Sequence, residues 1–430
     1  MRQFCRFLGR GFAVLMIAAI ALPAYAESYL VSAIEFRGNE VTRPSTMLQE
    51  LTFSEGQLVS ERDIERGRQA IMNLGLYKRV SADLEARQGN TVLIYTVIEK
   101  HYLLVLPRLS RSGDGDLSYG ARLRWDNIGG RNRQIDLGIR RKDLKNTDVE
   151  SEDQIRLRLS MPRLWGSPYE LGFDIRHEDL QIDEERDELS GRYNQVLDSA
   201  RVNLSRWLRE NGPSQGWRIE SQLRFEVYDN EYIDGDPGLY FDTTVVALSF
   251  GLEKRDIKDL LYSRTGRQYG YALDLASDNL GSDESFTRHY LFYRRYRHIT
   301  QREHTNFNYQ LRYGTSNGSI FGDPSYNLGG NSSIRGYDRE TFEGESFFIA
   351  NLEFLTPLFG HKTLRGVLFS DIGGAFEDSA SFDTSELKVG VGVGLQYKLR
   401  SFVKTDLRLD IAYGLDGGET KIYGSTETSF

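Results

Sequence analysis

Residues 387–398 read Leu-Lys-Val-Gly-Val-Gly-Val-Gly-Leu-Gln-Tyr-Lys, and their alternation decides the fold. Leu387, Val389, Val391, Val393, Leu395 and Tyr397 fall on one face of an extended chain, with Lys388, Gly390, Gly392, Gly394, Gln396 and Lys398 on the other. Period two marks a strand whose faces meet different surroundings. The same reading holds at Val246, Leu248, Phe250 and Leu252, at Tyr269, Tyr271, Leu273 and Leu275, at Tyr169, Leu171, Phe173 and Ile175, and at Phe307, Tyr309, Leu311 and Tyr313. From about residue 102 onward every readable segment has this form.

A soluble sandwich would bury the apolar face against a second sheet. A transmembrane barrel turns that face to lipid and closes the sheet, so that no backbone group is left unpaired in hydrocarbon. The barrel is favoured on three counts. The segments run to ~9–11 residues, the length of a tilted spanning strand. Trp125, Trp165, Trp207, Trp217 and Phe376 sit at strand ends, where interfacial girdles belong. Arg and Glu occur mid-strand on the polar face, which a wet lumen accommodates. The segments number roughly sixteen, an even count as bacterial barrels require. The expected fold is therefore a transmembrane β-barrel of about 16 antiparallel strands, spanning residues 102–430.

Composition agrees and excludes other classes. With 12% aromatic residues and 9 Pro in 430 the chain is not disordered, and a single Cys rules out a disulfide scaffold or zinc modules. The net charge of −8 argues against a nucleic-acid partner. Beyond the N-terminus no run of ~18 apolar residues offers a membrane helix.

Residues 1–26 have a basic n-region (Arg2, Arg6, Arg10), an apolar stretch from Phe12 to Leu22 and an Ala24-Tyr25-Ala26 cleavage pattern, the marks of a signal peptide. The lone Cys5 leaves with it, and the net charge becomes −11. An exported chain without disulfides points to a Gram-negative periplasm or outer membrane.

Residues 27–101 differ. A strand over 31–36 ends at Gly38-Asn39, a short helix is expected over 45–51 behind Pro44, and a second over 61–74 with Ser60 as N-cap, Asp63 as its reciprocal partner and Gly75 as the stop. Strands over 78–86 and 91–99 follow, joined through Gln88-Gly89-Asn90. The expectation is a small α+β unit with two helices over a three-stranded sheet, able to add a partner strand at its edge.

Several motif-like strings carry no chemistry. Gly314-Thr315-Ser316-Asn317-Gly318 matches a nucleophile elbow, yet loop rather than helix follows it. Asp114-Gly115-Asp116 and Asp234-Gly235-Asp236 read as turns, since neither continues into a calcium loop. The six His lack metal spacing. No acid, base and nucleophile set can be named, so neither an enzyme nor a bound metal or cofactor is expected.

One constellation remains. The segment 314–344 is long and Gly-rich, and a loop of that kind is either disordered or pinned to a specific site. Folded into the lumen, its Arg335 would need a carboxylate able to meet the guanidinium fork, with Asp371 and Glu353 as candidates. Gly390, Gly392 and Gly394 would make room on the lumen face.

These strings resemble the outer-membrane protein-assembly superfamily of BamA, TamA and the two-partner secretion transporters, also called the bacterial surface antigen family. Ile334-Arg335-Gly336-Tyr337 is similar to that family's (V/I)-R-G-(F/Y) loop, Phe369-Ser370-Asp371-Ile372-Gly373 to its F-x-D-x-G strand, and residues 256–266 to the stretch before a central strand. Phe36-Arg37-Gly38-Asn39, Leu74-Gly75-Leu76-Tyr77-Lys78-Arg79-Val80 and Val97-Ile98-Glu99 resemble a POTRA domain. The resemblance implies a 16-stranded barrel, an Arg335 loop paired to Asp371 in the lumen, and insertion or export of β-rich clients. It departs from the family in having one POTRA domain and no room for a plug helix.

Both ends of the expected seam look weak. Pro107 in the first strand cannot donate a ladder bond. In the last strand, which ends at Phe430, Gly424, Thr426 and Thr428 stand where apolar residues would face lipid. A seam that opens sideways to admit a client strand is the expected mechanism. The favoured function is thus a polypeptide insertase or translocase, in contact with outer-membrane lipid and with its POTRA domain in the periplasm. A passive pore or lipid conduit and a dimeric membrane scaffold are the competing readings.

Overall fold

The computed structural model describes residues 28–111, 117–143, 151–186, 189–209, 215–299, 304–403 and 405–426. The leader, Asp114-Gly115-Asp116, Thr428 and Phe430 lie outside the described residues.

The N-terminal unit runs β1 (Ser28–Arg37), α1 (Pro44–Leu48), β2 (Gln57–Ser60), α2 (Glu61–Asn73), β3 (Tyr77–Arg87) and β4 (Asn90–Glu99). Its sheet has four strands, ordered β2-β1-β4-β3, rather than the three expected. The addition is β2, whose four residues are too few to show a period in sequence and are recruited by antiparallel pairing with β1, as in Leu30 opposite Leu58. The first helix stops at Leu48, short of the expected 51.

Helix α2 begins at a capping box. The Ser60 hydroxyl accepts from the Asp63 backbone N–H, and the Asp63 carboxylate accepts from the Ser60 N–H. These bonds, the Ser60 hydroxyl first, hold the Asp63 carboxyl below its usual range. Inside the helix Gly67 is required by packing: a Cβ there would strike the Tyr95 hydroxyl, which instead donates to the Ile64 carbonyl at 3.1 Å. Ile71, Leu76, Leu93 and Val31 complete a core shut off from solvent.

The barrel strands are β5 (Leu103–Arg111), β6 (Leu117–Ile128), β7 (Arg133–Asp143), β8 (Ser151–Met161), β9 (Tyr169–Arg186), β10 (Leu189–Arg209), β11 (Gly216–Gly235), β12 (Thr243–Asp259), β13 (Arg264–Ala276), β14 (Phe286–His298) and β15 (Asn306–Asn317). After a long connection carrying the miniature hairpin β16 (Tyr326–Leu328) and β17 (Phe342–Gly344) come β18 (Ser346–Leu358), β19 (His361–Phe376), β20 (Lys388–Lys398), β21 (Asp406–Gly414) and β22 (Thr420–Ser425). Sixteen strands form one sheet, every neighbouring pair antiparallel and consecutive along the chain apart from the loop hairpin. Strand length varies more than expected, from 6 residues in β22 to 21 in β10.

The alternation read from sequence sorts the faces. Leu223, Phe225, Leu252, Leu291, Leu368, Val393 and Ile411 point outward and are exposed. Inward, Arg122 meets Asp136 at 2.5 Å, Arg201 meets Glu226 at 2.8 Å and Arg224 meets Asp274 at 2.9 Å. Trp125 and Trp217 face outward and Trp165 is exposed in the β8–β9 turn, all toward the end facing the small domain, so these three form a single girdle. Trp207 does not join it: it shares the inward face of β10 with Arg201 and Ser205 and lies beneath the Arg218 guanidinium. Phe376 does not join a girdle: at the opposite end of β19 it is buried beneath Phe382, with ring centroids 5.0 Å apart.

The small domain is docked to the barrel. The Arg43 N–H and the Thr46 hydroxyl donate to the Gly130 carbonyl in the β6–β7 turn, at 3.0 and 2.7 Å. Arg163 in the β8–β9 turn meets Glu50 at 3.0 Å, Gln69 donates to the Asp259 carbonyl at the end of β12, and Val403 from the β20–β21 turn completes the small domain's own core. Those turns are spaced around the ring, so the domain lies across the barrel mouth. Glu50 is 2% exposed. Replacing Glu50 with Ala would leave Arg163 without that carboxylate, at a cost of roughly 3 kcal/mol; the expected result is faster protease cleavage at the domain junction with an intact, heat-modifiable barrel.

Candidate functional site: a charged lock between loop and barrel wall

The connection between β15 and β18 turns back into the lumen. It is tied at its base, where the Ser316 N–H donates to the Glu345 carbonyl at 2.7 Å, and it holds its shape through the β16–β17 pair. Ile334, fully buried, seats the tip in an apolar cluster with Leu328, Tyr337, Phe347 and Ile349.

Arg335, 1% exposed, follows immediately. Its Nε and Nη2 donate to the two Asp371 oxygens at 2.7 and 2.8 Å, and its backbone N–H adds a third bond to the same carboxylate at 3.1 Å. Nη1 reaches Glu353 at 3.2 Å and Asp410 at 2.8 Å. The guanidinium lies 3.5 Å from the centre of the Phe369 ring. Every position of the Phe369-x-Asp371-x-Gly373 strand thus has a physical job: Phe369 stacks under the cation, Asp371 binds it bidentately, and Gly373 leaves the space that a Cβ would take from the Phe348 carbonyl and the Ile334 methyl.

Both carboxylates anticipated for Arg335, Asp371 and Glu353, are therefore at the site. Asp410 and Arg408 on β21 were not anticipated. Arg408 donates to Asp410 and, at 2.6 Å, to Glu353, so two guanidinium groups bind three buried carboxylates. The signal was present, since Arg408 and Asp410 alternate with the outward Leu407, Leu409 and Ile411, but alternation shows only a lumen face and not which lumen residue meets the loop. Asn351 closes the set, donating to Asp371 and to the Ser333 carbonyl, both at 2.8 Å.

Glycine makes the approach possible. Gly336 has φ +96°, where a side chain is strained, and a Cβ on Gly390 would run into the Arg335 carbonyl. The room foreseen on β20 is therefore filled by the loop backbone. Tyr337 ends the motif, its hydroxyl donating to the Val389 carbonyl at 3.2 Å.

The seam residues are separate from the lock. Pro107 is on β5 opposite Ala121, and Gly424 is on the outward face of β22 as expected. Among the described residues β5 pairs only with β6 and β22 only with β21, so no ladder joins the two edges of the sheet.

A 16-stranded barrel with an apolar exterior, a charged lumen, an inward-folded loop and one POTRA domain defines an outer-membrane β-barrel of the assembly and translocation type. The chain belongs to the Omp85 superfamily: the Omp85 superfamily domain matches residues 127–422, and the POTRA model, described as a surface antigen variable number repeat, matches residues 29–100. Its fold is similar to that of CdiB from Escherichia coli (15% identity, 93% of this chain and 75% of that one, TM-score 0.64). It is also similar to CdiB from Acinetobacter baumannii (16%, 91% and 72%, TM-score 0.60) and to BamA from Haemophilus ducreyi lacking POTRA domains 1–3 (18%, 92% and 84%, TM-score 0.53). No curated protein sequence matches the chain.

Removing one member of a buried charge set strands the others, at a typical cost of about 3–5 kcal/mol. Arg335→Ala and Asp371→Ala are each expected to expose the loop to protease and lower the melting temperature, and the double variant to cost much less than their sum. Gly390→Ala should displace the loop with every charge retained, read by the same protease assay.

Proposed function

We propose that this protein inserts polypeptide clients into the outer membrane, or exports them across it, and that the barrel seam is where they engage. The observation that carries this reading is that, among the described residues, no ladder joins β5 to β22. An unpaired strand edge in a membrane is a template for an incoming strand, because each backbone group left without a partner in hydrocarbon costs several kcal/mol. The two edges are also unequal, β22 having 6 residues and β5 having 9. The work done is strand exchange rather than covalent chemistry.

The POTRA domain, on the periplasmic side, would present clients to the mouth across which it lies. Its sheet has edges at β2 and β3; at β2, where Leu58 is 72% exposed, an extended client could pair before reaching the seam. The loop narrows the lumen on one side and the POTRA domain straddles its mouth, which argues against a passive route.

Disulfides engineered across β5 and β22 are expected to abolish folding of an unfolded barrel client in liposomes and to be reversed by reductant. Client folding that continues at the parent rate with the seam locked overturns the proposal. High ion conductance from the same liposomes, with no client folding, would instead identify a pore.

A further inference from the structure

The last strand is held by an unusual contact. Its outward residues, Thr420, Ile422 and Gly424, make no wall of their own: Ile422 is 69% exposed and a Cβ on Gly424 would touch nothing. Among the described residues its ladder is one-sided, to β21, through six residue pairs from Tyr413 opposite Thr420 to Arg408 opposite Ser425. Inward, its central residue is Tyr423, and this side chain reaches the loop tip. The Gly336 N–H donates to the Tyr423 hydroxyl at 3.1 Å, and that hydroxyl donates to the Tyr337 carbonyl at 3.2 Å. At the head of the strand the Glu419 N–H donates to the Gly336 carbonyl at 2.9 Å.

We propose that Tyr423 is a positioning residue that couples the Arg335 lock to the seam, so that β22 is held against the barrel only while the loop tip is seated. The connection is physical and short. Asp371 grips the Arg335 side chain and backbone, Gly336 is the next residue along the chain, and its N–H bonds Tyr423. Both partners of the phenol are backbone groups of the motif, so this part of the link reads the position of the loop; Lys421 on the same strand adds a side-chain tie to Asp338 at 2.8 Å. Withdrawal of the tip breaks these bonds together with the Glu419–Gly336 bond and the Lys421–Asp338 pair, and leaves β22, among the described residues, with its ladder to β21. Close packing makes the arrangement discrete, because Gly336, Gly414 and Gly418 meet backbone to backbone, where no small shift of the tip is possible without parting the contact.

This coupling deepens the seam proposal and rests on it for its functional meaning. The alternative is that Tyr423 merely packs, since its ring lies against the cluster of Leu355, Val367, Phe369 and Ala412. Tyr423→Phe separates the two roles, keeping the ring and removing the hydroxyl.

The test uses the signal-peptide-processed protein in nanodiscs, with Val105→Cys and Ile422→Cys carrying spin labels, both positions outward on opposite sides of the seam. Distance distributions are compared for parent, Tyr423→Phe, Arg335→Ala and the double variant. Loss of two hydrogen bonds should raise the open fraction roughly five- to thirtyfold in Tyr423→Phe, with the loop still protease-resistant. Arg335→Ala should open the seam at least as far, and the double variant no further, because the two act in series. Distances in Tyr423→Phe that match the parent overturn the coupling, as do parent-like distances in Arg335→Ala with its loop released, or additive opening in the double variant. Client folding is measured on the same proteins after disulfide locking. Wider distances in Tyr423→Phe alongside normal folding with the seam locked would reject the seam proposal and leave the coupling standing.

Discussion

The burial of the Arg335 guanidinium is the constraint on which the lumen depends. A cation taken out of water is tolerable only if its donors and its charge are met, and a single carboxylate does not meet both. Asp371, Glu353 and Asp410 come from β19, β18 and β21, so satisfying one side chain fixes the relative height of three wall strands and the depth of the loop. Arg408 is required by the same logic, since three carboxylates around one guanidinium would repel one another. The network is expensive to assemble and more expensive to leave half assembled.

The other features are arranged around that site. Glycines on β20 and at the β21–β22 turn let two backbones approach where side chains would keep them apart. The apolar seat of Ile334 adds burial that does not depend on charge. The POTRA domain closes the opposite region by a different means, through turn carbonyls and a shared apolar core that includes Val403. The lumen site is therefore held by a buried charge network, and the POTRA contact by turn hydrogen bonds, the Glu50–Arg163 ion pair and shared apolar packing. Against this background the β5 and β22 edges stand out, because among the described residues no ladder joins them.

Much of the fold was legible in the amino-acid sequence because a strand facing lipid on one side and water on the other writes its geometry as period two. Residues 387–398 carry the pattern, and their exposed Val393, Leu395 and Tyr397 and their buried Gly390 fall as the alternation dictates. The same local logic placed the capping box at Ser60 and Asp63. It did not place β2, because a four-residue strand has too little pattern to register and exists through its pairing with β1. Phe376 illustrates the opposite error, in that an aromatic residue at a strand end was read as a girdle although Phe382, six residues further on, covers it.

What the sequence determined by itself was the class of protein: an exported barrel with one POTRA domain and a loop motif whose arginine demands a carboxylate. That much follows from local chemistry, because periodicity, capping and the cost of an isolated charge are properties of short stretches. The tertiary structure alone decided that Asp410 and Arg408 share the site, that the POTRA domain lies across the mouth, and that the loop tip touches Tyr423. The pairings Arg335–Asp410, Arg408–Glu353 and Gly336–Tyr423 join residues 75, 55 and 87 positions apart. No periodicity spans such distances, and only the closure of strands into a ring brings those side chains to one place.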